Sequence, residues 1–373
     1  MKRIFAAFLS ATLCLSLCIP ICATENPFSH ANERVVNLAQ EKMESIAKAD
    51  STACPNILTT KKLVDFAGNS YTLFEYSPTG YSIYSDATGV FVETSSESPS
   101  PYAKYANFVD DLFYGGPLCY FFFSKEDGCY VHTILGEKVY SIPKLAQRSS
   151  KLHTALIESR DEKALGFVQN EGAMQESYST RAIRYVDNYT YIRNLQSGTE
   201  MGYAYDSVAG EGMCGWIASG IAILYLQLNS GARLIPTSPS YVSNNRFTGP
   251  AFTQLLRSYG NNSDTTGSDL AAAILSYADD KNYPLTATHY LTVSTSEMEN
   301  IIDESIPVVA GGHIWDCQQN NPLQGVNHYI VIYGYDANEY ICHYGWSNYS
   351  NVHFNRNAYV AIWGDMVKIE LSY

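Results

Sequence analysis

The chain has 373 residues, enough for two domains of ordinary size. Its composition, 46% apolar and 16% charged, excludes a disordered chain. Formal net charge is −13, and no Lys/Arg cluster or basic stripe occurs, which argues against nucleic acid or an anionic membrane surface as the main partner. Tyrosine, at 30 residues, is frequent in a way that suits β-structure and extracellular surfaces.

Lys2 and Arg3 precede an apolar run from Ile4 to about Cys22, and polar sequence begins at Thr24. This reads as a secretory signal peptide, residues 1–23, cleaved near Ala23, rather than a transmembrane anchor, because Pro20 breaks a run of borderline length. The exported part keeps Cys54, Cys119, Cys129, Cys214, Cys317 and Cys342, too scattered for a small stapled scaffold. Cys119 and Cys129 flank a turn, and both a disulfide and two free thiols are open there.

Residues 24–170 read as one region. Val35, Leu38, Ala39, Met43, Ile46 and Ala47 recur at helical spacing and predict a helix over 31–48. Strand-like runs at 63–66, 71–76, 81–84 and 90–93, separated by glycine turns, predict an antiparallel meander, with a further hairpin at 119–123 and 129–134. Residues 171–183 read as a linker, and a second domain spans 184–373. There an apolar helix runs from Cys214 to Leu228, with Ile217, Ile221, Leu224 and Leu228 on one face. Helices are expected over 268–281 and 296–304, the latter with a Ser296…Glu299 cap. Strands follow at 307–311, 329–335, 340–344, 352–354, 359–363 and 366–371. The fold class is α+β.

Cys214 sits in Glu211-Gly212-Met213-Cys214-Gly215-Trp216, where a glycine loop enters the apolar helix. Unpaired N–H groups and the macrodipole at a helix start favour a thiolate and can hold an oxyanion. His328 lies in Asn327-His328-Tyr329-Ile330-Val331, at the mouth of an apolar strand, where an imidazole can take the thiol proton and later return it to a leaving group. Either residue alone has a plain structural reading, a buried cysteine or a capping histidine; the two in this order point to thiol nucleophilic catalysis. His289, His313 and His353 do not fall at ligand spacing, and neither a metal nor a cofactor is expected.

With Ile341-Cys342-His343-Tyr344-Gly345-Trp346 further on, and Ile306-Pro307-Val308-Val309-Ala310-Gly311-Gly312 before the histidine, the sequence resembles the papain-like cysteine peptidases. Within them it is most similar to streptopain-like secreted bacterial peptidases, and the cysteine segment also resembles bacteriocin-processing peptidases. The resemblance covers about residues 185–373. It implies a papain-like catalytic domain, a helical half followed by an antiparallel β half, behind a helix and β-meander pro-region. It implies Cys214 as nucleophile, His328 as general base and acid, His343 as the residue that orients His328, Gln196 as an oxyanion donor and Trp346 as the cover of the His328–His343 contact. Three departures stand out. The orienting position holds His343 where the family has Asn, Gly345-Trp346 is followed by Ser347 rather than Gly, and no Gln lies close before Cys214.

The expected function is a secreted cysteine endopeptidase made as a zymogen, with a peptide or protein substrate and its own pro-region as intramolecular inhibitor. No nucleic-acid partner and no integral membrane segment after signal removal are expected. Cell-wall amidohydrolases and acyltransferases use the same Cys–His pair, some with a second histidine as third member, and a catalytically decayed secreted binding protein is the non-enzymatic alternative.

Overall fold

The computed structural model describes residues 33–50, 52–66, 68–105, 112–136, 138–139, 183–195, 205–206, 211–260, 266–292, 294–316, 326–356 and 359–372. The expected signal peptide, the expected linker up to residue 182, Gln196 and Cys317 lie outside these residues.

The fold is α+β, several helices around one large mixed sheet of fifteen strands. In chain order the strands are β1 (Asn56–Val64), β2 (Ser70–Ser77), β3 (Tyr81–Ser85), β4 (Phe91–Ser95), β5 (Leu112–Tyr114), β6 (Tyr120–Ser124), β7 (Cys129–His132) and β8 (Lys138–Val139), then β9 (Arg184–Tyr185), β10 (Leu285–Tyr290), β11 (Val308–Asp316), β12 (Val326–Tyr335), β13 (Glu339–His343), β14 (Val352–Asn355) and β15 (Tyr359–Leu371). The helices are α1 (Glu33–Ala49), α2 (Thr190–Arg193), α3 (Cys214–Ser230), α4 (Ala251–Arg257), α5 (Gly267–Lys281) and α6 (Thr295–Asp303).

Across the sheet the order is β10-β15-β11-β12-β13-β14-β4-β3-β2-β1-β5-β6-β7-β8, with β9 on β12. The N-terminal meander β1–β4 is antiparallel, as its glycine turns predict, and among the described residues β1 and β5 alone pair in parallel. Its last strand joins the C-terminal half directly: Thr94 faces His353 and Glu93 faces Phe354 across β4 and β14. Thus the two halves share one sheet and one hydrophobic core that runs from Leu63 to Ile369. Helix α1 lays Val35, Ala39 and Met43 on Phe74, Tyr76, Tyr84 and Phe91, forming a smaller separate core.

Helix α3 differs from the one-faced helix that its spacing suggests. Every residue from Gly215 to Leu226 is buried, because the sheet lies on one side and α2, α4 and α5 on others. A helix enclosed this way needs apolar residues all round, and each fully buried Ile or Leu contributes roughly 1.5–3 kcal/mol. Gly231, at φ 73, ends it in the left-handed conformation that a side chain disfavours. Its start has no side-chain cap, so the first-turn N–H groups stay available.

Other boundaries move for local reasons. The α6 cap is Ser294, whose hydroxyl accepts from Glu297 N–H, two residues before the expected Ser296…Glu299 pair. The strands expected at 359–363 and 366–371 are one strand, β15, because Asp365 is held within the sheet region by partners from other elements rather than turning the chain. Cys119 and Cys129 are both buried, and no disulfide joins them.

Candidate active site

Cys214 is the first residue of α3 and His328 lies near the start of β12, the strand that α3 packs against. The packing brings the thiol and the imidazole into hydrogen-bond contact. Burial alone would raise the Cys214 thiol. The His328 ring beside it, together with the backbone N–H groups of Tyr329 and Gly215, outweighs this and brings the thiol below its ordinary value. Burial would likewise lower His328, but the developing thiolate and the Tyr344 carbonyl raise it. The two groups therefore shift toward each other's charge, the direction that favours a thiolate–imidazolium pair.

The orienting contact on His328 comes from an unexpected atom. His328 Nε2 lies 2.7 Å from the backbone carbonyl of Tyr344. A carbonyl can only accept, so Nε2 carries the proton, and the other ring nitrogen is left to face the thiol. His343, expected to make this contact, is committed elsewhere. Its Nε2 is 3.0 Å from the Leu195 carbonyl and its Nδ1 accepts from Gly345 N–H at 2.9 Å. Burial pushes its value down to about 4, against the raising effect of Leu195, so this ring is neutral with both nitrogens satisfied. The cause is strand geometry. His343 pairs with Val331 rather than with His328, and the chain turns at Gly345 (φ 77) to aim the Tyr344 carbonyl at the base. His343 instead anchors Leu195, the last described residue before Gln196.

The Trp346 ring lies 5.2 Å from the His328 ring, beside the His328–Tyr344 contact rather than the His328–His343 contact it was expected to cover. It also meets His132 of β7, at 5.6 Å and nearly perpendicular. His132 is itself fixed by the Leu118 carbonyl at 2.9 Å and by the N–H groups of Ile134 and Leu135. The N-terminal strands thus reach the edge of the site. His132 has no sequence signal, since its partner lies far along the chain in another turn.

Tyr329 extends from the other side of β12. Its hydroxyl donates to Asp365 Oδ1 at 2.8 Å, while Asp365 Oδ2 accepts from Gly267 N–H at 2.7 Å and lies 3.1 Å from His289 Nε2. The ring crosses Gly311, where a Cβ would fall 2.1 Å from Tyr329 Cε1. Gly311→Ala must displace Tyr329, the residue next to His328. The expected outcome is a drop of about tenfold or more in kcat/KM for whatever reaction the Cys214–His328 pair performs, about 1.4 kcal/mol or more of lost transition-state stabilisation, measured beside the unfolding midpoint.

Among the described residues no group of three His, Cys, Asp or Glu side chains could hold a metal ion, and no helix is long and apolar enough to cross a membrane. Compared with known protein families the chain matches none, and no curated protein matches it. Among solved structures it is similar to a fragment of Prevotella intermedia prointerpain A, residues 39–359 with one cysteine mutated to alanine, at 13% identity and TM-score 0.39, the match covering 83% of this chain and 98% of that one.

Proposed function

We propose that the chain is a secreted cysteine endopeptidase with a papain-like catalytic domain, synthesised as a zymogen. The observation that carries this reading is the Cys214–His328 pair, a thiol lowered and an imidazole raised by one another at an uncapped helix start. The thiolate attacks a peptide carbonyl carbon, and the oxyanion forms beside the free N–H groups of the α3 first turn. The His328 imidazolium protonates the departing amine. Neutral again, it takes a proton from water, which attacks the thioester and releases the acid and the thiol. The Tyr344 carbonyl holds the ring through both proton transfers, and Trp346 keeps water from that contact. The region before residue 171 is the inhibitory pro-region, its His132 lying against Trp346 at the edge of the site, and cutting within 171–183 releases it.

In the exported chain, Cys214→Ala is expected to abolish self-processing and labelling by an epoxysuccinyl thiol reagent. Unchanged processing and labelling overturn the reading. On the processed enzyme, thiolate appears as pH rises through the lowered thiol value, and imidazolium disappears as pH rises through the raised His328 value. A plot of kcat/KM against pH is therefore a bell, with its acid limb below 9.0 and its alkaline limb above 6.5, the two ordinary values from which the thiol is lowered and the imidazole raised. Casein and purified peptidoglycan, offered side by side, separate an endopeptidase from a wall amidohydrolase.

A further inference from the structure

Glu93 of β4 is wholly buried. Its Oε2 accepts two hydroxyls, one from each half of the molecule: Tyr120 of β6 at 2.9 Å and Tyr344 at 2.7 Å. Tyr344 is the residue whose carbonyl holds His328. The remaining titratable groups that act on Glu93, or that it acts on, are Tyr81 of β3, Tyr114 of β5, Tyr102, and, from the C-terminal half, Cys342 and Tyr349. No cation is among them. The other buried carboxylates along this seam have one: Glu339 has Lys42, and Asp50 has Arg193.

We propose that Glu93 is a pH-sensitive clasp: neutral, it closes the seam between the N-terminal strands and the turn that holds His328; ionised without a counter-charge, it loosens that seam. Burial pushes its carboxyl up to about 7, the surrounding tyrosine hydroxyls opposing. A value raised above the ordinary 4.5 means that the stabilisation is complete below 4.5 and is lost as pH rises through about 7. Glu339, held at about 2 by Lys42 and His353, stays ionised through this range, and His132, at about 4, stays neutral. Only the consequence for Cys214 rests on the peptidase reading: release of the N-terminal strands, and so self-processing, accelerates toward alkaline pH.

The test uses the exported chain carrying Cys214→Ala, so that opening is measured without cleavage. Amide hydrogen exchange at Thr94 and His353, corrected for intrinsic rate, reports opening of the β4–β14 pairing. Between about pH 5.5 and 8.5 the opening equilibrium is expected to rise about 30-fold, and to stay nearly flat when Glu93→Gln is added. Equal pH responses with and without Glu93→Gln overturn the proposal. If Glu93→Gln does not fold, Tyr120→Phe removes one hydroxyl donor and must move the opening transition to higher pH; an unmoved transition overturns it equally. A clasp confirmed here alongside an unreactive Cys214 in the wild-type chain would sink the peptidase reading and leave the clasp standing.

Discussion

Replacing His328 by Ala is expected to lower kcat on a peptide substrate by a factor on the order of 10⁴–10⁶, and replacing Cys214 as well should cost little more. Residues that act as one unit lose their function together, so the double variant falls near the worse single one. The same change should raise the pH at which Cys214 reacts with an alkylating reagent, because the ring and its hydrogen bond are what bring the thiol below its ordinary value against the cost of burial. His343→Ala separates the two possible holders of the base. If His343 oriented His328, its removal would reshape the alkaline limb of kcat/KM. Both of its nitrogens serve backbone groups, Leu195 and Gly345, so the expected result is a stability loss of about 1–3 kcal/mol with both limbs in place. A shifted alkaline limb with unchanged stability would return the orienting role to His343.

Much of this centre can be read from residue order, and the part that cannot has a physical reason. Cys214 is legible because a glycine loop meeting an apolar helix puts a thiol at a helix start, and α3 begins at that residue. His328 is legible because a polar loop gives way to a strand of apolar residues. The atom that holds His328 is a main-chain carbonyl, which has no residue type and leaves no trace in sequence; only the positive φ of Gly345 after Tyr344 hints at a turn there. Glu93 and His132 were beyond reach for a different reason. The residues that tie them to the site, Tyr344 and Trp346, sit in the opposite half, and the β4–β14 register that brings the halves together depends on tertiary packing, not on any local pattern. Helix α3 shows the same limit in milder form. The Ile217, Ile221 and Leu224 stripe is real, but Trp216, Ile223 and Leu226 are buried too, since neighbouring helices close the far side. Strand β10, which precedes α6, escapes prediction because Thr286, Thr288 and His289 dilute its apolar alternation, although the strand pairs along its full length with β15.

Lys42→Met is expected to destabilise the exported chain by about 3–5 kcal/mol, the cost of leaving a buried charge without its partner. Lys42 on α1 pairs with Glu339 at the start of β13, both almost wholly buried, and His353 Nδ1 of β14 lies 3.2 Å from the other carboxylate oxygen. Burial by itself would raise Glu339; Lys42 first, then His353, hold it at about 2. Because the folded value is depressed, the pair's contribution is present above about 4.5, the ordinary carboxylate value, and is lost as pH falls from there toward 2. The gap between wild type and Lys42→Met in urea-unfolding free energy, measured on the Cys214→Ala background, should thus be widest near neutrality and close in acid. Adding Glu339→Gln to Lys42→Met removes the stranded charge and should recover much of the loss, because a neutral amide in the same space avoids most of the desolvation cost. A gap that persists unchanged to low pH, or a double variant no better than the single, would mean that Lys42 stabilises through its packing on the Phe91 ring, 4.6 Å from its ammonium, rather than through the carboxylate. The pair and the clasp pull in opposite directions along one seam. Lys42–Glu339 holds at neutral pH and fails only in strong acid, whereas Glu93 holds in acid and weakens toward neutrality. Between those limits the N-terminal strands stay on the sheet, and the alkaline side is where Glu93 lets them leave first.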